Sequence, residues 1–249
     1  MTTQLRAVAL PGIPVIGPGD DLAGEITAAA ARAGETLRNG VLVVAQKVVS
    51  KQEGQIVALA SIEPSDEAVR IARDGDKDPR QVELVLRESR RIVRNAHGVL
   101  ITETHHGFVC ANSGVDLSNA PGEDVAVLLP KDPDASARRL REELGAAADT
   151  PLGVIVSDTF GRPWREGLVD LAIGSAGFAP LVDYRGQSDL EGRELVVTTA
   201  ARADQLAALA GILMEKGSAT PAVWIDGIDP EGDGSIRDIL RDSSTDLFR

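Results

Sequence analysis

The chain has 249 residues, 43% hydrophobic and 26% charged, a balance and length that bury a sizeable core without covalent staples. One cysteine, Cys110, excludes an internal disulfide framework, and three histidines beside it cannot build a structural zinc site. A net charge of −12 argues against duplex DNA or RNA as partner, and two tryptophans, one tyrosine and four phenylalanines are too few for a single-strand stacking platform.

The first strand is expected at Leu5–Leu10, running into Pro11-Gly12-Ile13-Pro14, a loop stiffened by two prolines. Asp20-Asp21 precede an alanine-rich helix over Leu22–Leu37, which Asn39-Gly40 would close. Val41–Ala45 is a continuous apolar run of the kind found in a strand covered on both faces. Ser65–Arg94 reads as helical with an interruption at Asp78-Pro79. Val99–Thr102 and Gly107–Cys110 read as strands joined by a turn through His105-His106.

Val125–Leu129 is a further strand, and Asp134–Leu144 a helix started by Pro133-Asp134 and stopped by Gly145. Gly153–Ser157 is a strand leading into Asp158-Thr159. Leu195–Thr199 is a strand, Ala203–Met214 a helix and Ala222–Ile225 a last core strand. The polar tail ends on Asp246-Leu247-Phe248-Arg249 and is expected to dock, with Gly232-Asp233-Gly234-Ser235 as a mobile connector. Without strict βαβ alternation, these elements predict an α+β fold of mixed, largely antiparallel sheets with flanking helices. Residues 1–249 form a single domain on this reading, with room for two intimately packed subdomains. No apolar run approaches the ~20 residues that span a bilayer and no signal pattern opens the chain, so a cytoplasmic protein with no membrane partner is expected.

Two segments place carboxylates beside small polar residues at strand ends. One is Asn112-Ser113-Gly114-Val115-Asp116-Leu117-Ser118-Asn119, and the other is Ser157-Asp158-Thr159-Phe160-Gly161-Arg162-Pro163-Trp164-Arg165. Asp116 and the Asp158-Thr159 pair can supply hard oxygen ligands to Mg²⁺ or Mn²⁺. Each aspartate can equally be an ordinary turn former, but the two loops together favour the metal. Arg162 and Arg165 can hold a phosphate or carboxylate through a bidentate fork.

Gln46-Lys47-Val48-Val49-Ser50-Lys51 follows the buried strand, and Lys51 there can meet phosphate oxygens. Lys47 reads as an ordinary solvated lysine, the His105-His106 pair as structural and Cys110 as core. No Walker loop and no GxGxxG fingerprint occurs, so a nucleotide would need a different set of loops.

With those residues laid out, the chain resembles the coenzyme F420-0:γ-glutamyl ligase family, including the ligase portion of its bifunctional actinobacterial form. The resemblance rests on Gly12-Ile13-Pro14-Val15-Ile16 with Pro18–Leu22, Gln46–Lys51, Glu88-Ser89, Ile92-Val93-Arg94 and His106–Asn112. Gly114–Asn119, Asp158–Arg165 and the ending Asp246–Arg249 complete it, in order along nearly the whole chain. The chain departs from the family pattern at Met214-Glu215-Lys216 and at Asp226-Gly227.

The resemblance implies GTP-dependent addition of L-glutamate to coenzyme F420-0 or a close relative, with Mg²⁺ or Mn²⁺ and K⁺. It also implies an interlocked homodimer. GTP contacts would fall on Ile13, Pro14, Val15, Ile16, Gln46, Lys51 and Asn119. The late loop Met214, Glu215, Lys216, Gly217, Ser218, Ala219, Thr220 and Pro221 would join them. Metal ligands would be Asp116, Asp158 and Thr159. A carboxylate is a poor electrophile, so amide formation through an acyl phosphate suits such a site, with Arg162 or Arg165 orienting the acceptor. A metal-dependent phosphohydrolase and a GTP-sensing module are the alternatives.

Overall fold

The apolar run at 40–45 lies at the centre of a five-stranded sheet, every residue of it but the last buried. The structure is a computed structural model, and it describes residues 4–118, 120, 122, 124–145, 151–214, 217 and 219–246. In chain order, β1 (Arg6–Ala9) leads to α1 (Leu22–Arg32), β2 (Gly40–Ala45), α2 (Gln46–Gln52) and β3 (Ile56–Ala58). Next come α3 (Asp66–Gly75), α4 (Pro79–Arg87), β4 (Ser89–Ala96), β5 (Val99–Thr104), β6 (Val109–Ala111) and β7 (Val125–Val127). Then follow α5 (Pro133–Glu143), β8 (Leu152–Arg162), β9 (Arg165–Ala176), β10 (Leu181–Asp183), β11 (Thr199–Ala201), α6 (Arg202–Gly211) and β12 (Ala222–Asp226).

The main sheet has the order β1-β12-β2-β8-β9, in which β2 and β8 are parallel and every other pairing is antiparallel. Its inner strands β12, β2 and β8 read as unbroken apolar runs where they pair, because both of their faces are covered. Antiparallel β4-β5-β6, β3-β7 and β10-β11 lie beside it. This is the mixed, largely antiparallel α+β arrangement expected from the sequence.

Two cores result. The larger gathers α1, α5 and α6 on the main sheet around Leu42, Ile155, Phe178 and Trp224, all essentially inaccessible. Each such side chain contributes about 1.5–3 kcal/mol by leaving water. The smaller core packs Leu59, Ile71, Val82, Val85, Leu100 and Val115 between α3, α4 and the small sheets. Among the described residues, no helix is long and apolar enough to cross a membrane.

Several expectations are corrected. Helix α1 stops at Arg32 rather than Leu37, because Gly34 takes a left-handed φ of 75° and Glu35 N–H bonds back to the Ala30 carbonyl at 2.8 Å. The helical stretch from Ser65 ends at Arg87, and 89–96 is a strand paired with β5. Asp158–Arg165 is not a loop: β8 runs on to Arg162 and turns back through Pro163-Trp164 into β9. Helix α6 ends at Gly211, short of Met214, and the strand expected at Leu195–Thr199 starts only at Thr199. The 232–235 stretch is not a loose connector. Ser235 caps a 3-10 turn, its Oγ donates to Asp134 Oδ2 at 2.6 Å, and Ile236 behind it is buried. The docking expected of Leu247-Phe248-Arg249 lies outside the described residues.

Candidate active site

A cavity of about 560 Å³ opens where the two cores meet. The carboxyl ends of the parallel strands reach it through Ala45 and Ser157, the usual place for a ligand on such strands. Helix α2 and the loop 13–16 form one wall. Cys110 to Asp116 form a second, the β8–β9 hairpin a third, and Met214, Gly217, Ala219, Thr220 and Pro221 close it.

The carboxylates come from three elements. Asp158, half-buried, and Thr159, exposed, stand on β8 where it leaves the buried core, and Asp170 stands on β9 opposite Thr159. Thr159 and Asp170 are paired in register, and Thr159 Oγ1 donates to Asp170 Oδ1 at 2.7 Å. Asp116 follows the Asn112–Gly114 turn and is bridged to Val127 of β7. Burial pushes the Asp158 carboxyl up to about 6, and the neighbouring Asp116 and Asp170 charges add to the rise.

Asp116 behaves oppositely. Burial disfavours its charge, but the Lys47 ammonium at 2.7 Å and the Ser118 N–H at 2.6 Å outweigh that and hold its carboxyl below the usual range. Lys47 also donates to Ser118 Oγ at 2.8 Å. It is therefore a cavity residue, against the solvated reading of the sequence. Lys51, one turn on, is buried, and its ammonium is lowered by burial and then by Lys47. Buried Gln46 accepts from Ser50 Oγ at 2.8 Å within the same helix.

The turn at 112–114 is strained. Asn112, Ser113 and Gly114 all have left-handed φ, at 53°, 50° and 70°, and a Cβ on Gly114 would meet the Leu129 side chain at 2.7 Å. A buried hydroxyl chain holds it: Ser113 Oγ contacts Thr102 Oγ1 at 2.7 Å, and Ser113 N–H donates to the same oxygen at 3.0 Å. Lys77 Nζ donates to Asn112 Oδ1 at 3.2 Å, fixing the amide beside the cavity.

Of the residues picked from sequence, Ile13, Pro14, Val15, Ile16, Gln46, Lys51, Asp116, Asp158 and Thr159 all line the cavity. So do Met214, Gly217, Ala219, Thr220 and Pro221. Asn119, Glu215, Lys216 and Ser218 lie outside the described residues. Arg162 and Arg165 are not in the lining. They face each other across the hairpin tip, where Arg162 Nη2 donates to the Glu166 carbonyl at 3.0 Å. His105 and His106 each place Nε2 on backbone carbonyls, of Arg87 at 2.8 Å and of Pro130 at 2.9 Å, a structural use. Cys110 is buried as expected, yet it also lines the cavity, with its thiol pushed up to about 12 by burial and then by Asp158.

Sequence reasoning gave Lys47, Asn112 and Asp170 no role in the site, although Asn112 opens a segment it singled out. For Asp170 a signal existed: it is a carboxylate inside the apolar run Leu168-Val169-Asp170-Leu171-Ala172, where an unpartnered charge is costly.

A hard divalent cation fits these residues. The donors are carboxylate and hydroxyl oxygens, and Asp158 carries a charge that burial and two neighbouring carboxylates penalise. Among the described residues no three carboxylate, imidazole or thiol groups already converge on one point, and Lys47 holds Asp116. A cation here would thus draw carboxylates together rather than enter a finished cage.

The comparisons with known proteins agree along the length of the chain. The family model for F420-0:γ-glutamyl ligase matches residues 12–227. The coenzyme F420:L-glutamate ligase of Methanothermobacter thermautotrophicus is 45% identical over 251 aligned positions, spanning 98% of this chain and 99% of that protein. Its namesake from Methanopyrus kandleri is 46% identical over 98% of each chain. That of Archaeoglobus fulgidus is 40% identical over 99% of this chain and 97% of its own. With its cavity, its acidic hairpin and this likeness from end to end, the chain belongs to the F420-0:γ-glutamyl ligase family.

Proposed function

We propose that this protein joins L-glutamate to the carboxylate of coenzyme F420-0 or a close relative at the cavity between its two cores, using GTP. The observation that supports this most is the pairing of Asp158 and Asp116 with Lys47 and Lys51 around one cavity. That set suits an anionic nucleotide, an anionic acceptor and a divalent cation together. The names of the relatives supply the two substrates to be joined.

The chemistry follows from the substrates. The acceptor carboxylate oxygen attacks the γ-phosphorus of GTP, the bond to the β-phosphate oxygen breaks and GDP leaves. The amine of glutamate then attacks the acyl carbon of the resulting acyl phosphate, loses a proton and expels inorganic phosphate. Asp116, Asp158 and Thr159 are the groups to hold Mg²⁺ or Mn²⁺. That ion, when bound, offsets charge on the phosphoryl oxygens. In this reading Lys51 meets phosphate oxygens, and the cavity-lining residues of 13–16 with Met214, Gly217, Ala219, Thr220 and Pro221 contact the nucleotide. Arg162 and Arg165 lie at the hairpin tip outside the cavity lining, and in this reading they meet anionic groups of the acceptor that extend beyond the cavity. K⁺ dependence and a homodimer belong to the same reading.

Mass spectrometry of a reaction holding GTP, Mn²⁺, K⁺, glutamate and F420-0 tests it. The expected product is the acceptor plus a glutamyl residue, with GDP and phosphate formed only when acceptor and glutamate are both present. Phosphate release from GTP alone, without a glutamylated product, would instead mark a phosphohydrolase.

A further inference from the structure

We infer that Asp170 is a positioning residue for Thr159: its carboxylate accepts the hydrogen bond of the hydroxyl, so that the lone pairs of Thr159 face the cavity and a divalent cation. The inference rests on the metal reading proposed above.

A neutral hydroxyl can ligate a cation only through an oxygen lone pair, and its single proton then needs an acceptor on the other side. Thr159 Oγ1 has that acceptor in Asp170 Oδ1 at 2.7 Å. The acceptor is an anion, which makes the bond strong and raises electron density on the hydroxyl oxygen. Backbone register supports the same geometry, since Thr159 and Asp170 are direct Cα partners in the β8–β9 ladder and their side chains share a face.

The end of helix α6 lies close behind the carboxylate. A Cβ added at Gly211 would lie 2.6 Å from Asp170 Oδ2 and 2.9 Å from its Cγ. The bare backbone at 211 is therefore what lets Asp170 stand where Thr159 can reach it. Asp170 also lines the cavity, and its charge contributes to the raised Asp158 carboxyl, so the three groups share one electrostatic environment.

The test is Mn²⁺ binding to the full chain, followed by electron paramagnetic resonance. Asp170→Ala is expected to weaken Mn²⁺ binding roughly 10–100-fold. Asp170→Asn retains a carbonyl oxygen to accept the Thr159 proton and is expected to recover most of that loss. Gly211→Ala removes no polar group and improves helix propensity, yet it crowds the carboxylate. It is expected to weaken Mn²⁺ binding without lowering the thermal midpoint. Thr159→Val and the Thr159→Val/Asp170→Ala double variant should bind alike, because Asp170 acts through Thr159. Additive losses in the double variant would make Asp170 an independent ligand and overturn the proposal. Unchanged Mn²⁺ affinity in Asp170→Ala, with binding abolished in Asp158→Asn, would make it scaffold and overturn it too. If Asp158→Asn binds Mn²⁺ as well as the unaltered protein does, the metal reading itself fails and the positioning role falls with it.

Discussion

Lys47 Nζ meets Asp116 Oδ2 at 2.7 Å, joining α2 to the segment after the strained 112–114 turn. The ion pair occupies a carboxylate that the proposed metal also needs. Replacing Lys47 by Met removes the competing charge, a coulombic effect of ~1 kcal/mol at a partly exposed site. Mn²⁺ affinity in the absence of nucleotide is expected to rise about 3–10-fold by the same principle. A titration showing unchanged or weaker binding would mean that Lys47 supports the metal site instead.

Asp158 links function to stability. Its carboxyl is raised by burial from 3.8 to about 6, so the folded state holds the proton over a pH range in which the unfolded chain has released it. Such a group stabilises the fold at low pH, and that contribution is lost as pH rises through the folded value. Asp158→Asn in chelator-treated protein should thus gain on the order of 1–3 kcal/mol at pH 7.5. The gain should shrink as pH falls from 6 towards 4. Urea unfolding at both ends of that window checks the size and the sign.

Cys110 is 8% exposed and its thiol is held near 12, first by burial. A thiol in that state is almost wholly protonated at pH 8 and reacts slowly with disulfide reagents. Folded protein is expected to remain unlabelled by such a reagent, and denatured protein to take up one equivalent, there being one cysteine. Rapid labelling of the folded protein would contradict the burial of this thiol.

The hairpin tip bears on assembly. Trp164 is 80% exposed and Leu168 58% exposed on the same arm, large apolar surface for a water-facing position. If this arm forms the interface of the proposed homodimer, Trp164→Glu with Leu168→Glu should yield a monomer by light scattering. A dimer that survives both changes would have its interface elsewhere.

Much of this was legible in the residues, and the misses have physical causes. Val41–Ala45 announced a strand covered on both faces, because such a strand does not alternate, while its parallel pairing with Gly153–Ser157 is set by tertiary topology and was not legible. The 158–165 segment misled because Gly161 and Pro163 signal a loop, while long cross-strand pairing carries the strand through to Arg162. Ser89–Ala96 misled because its helical neighbours on the N-terminal side continue the pattern up to Arg87. Lys47 gave no signal of its own: its role depends on Asp116, sixty-nine positions later in the chain, and only tertiary packing brings them together.

Ligation by the Asp116→Asn and Asp158→Asn variants, read as glutamylated product by mass spectrometry with saturating Mn²⁺ and GTP, tests the central claim most directly. An amide cannot supply the anionic oxygen that a hard cation needs, so product formation is expected to fall at least roughly 100-fold while circular dichroism stays unchanged. Near-normal turnover in either folded variant would contradict the placement of the reaction in this cavity.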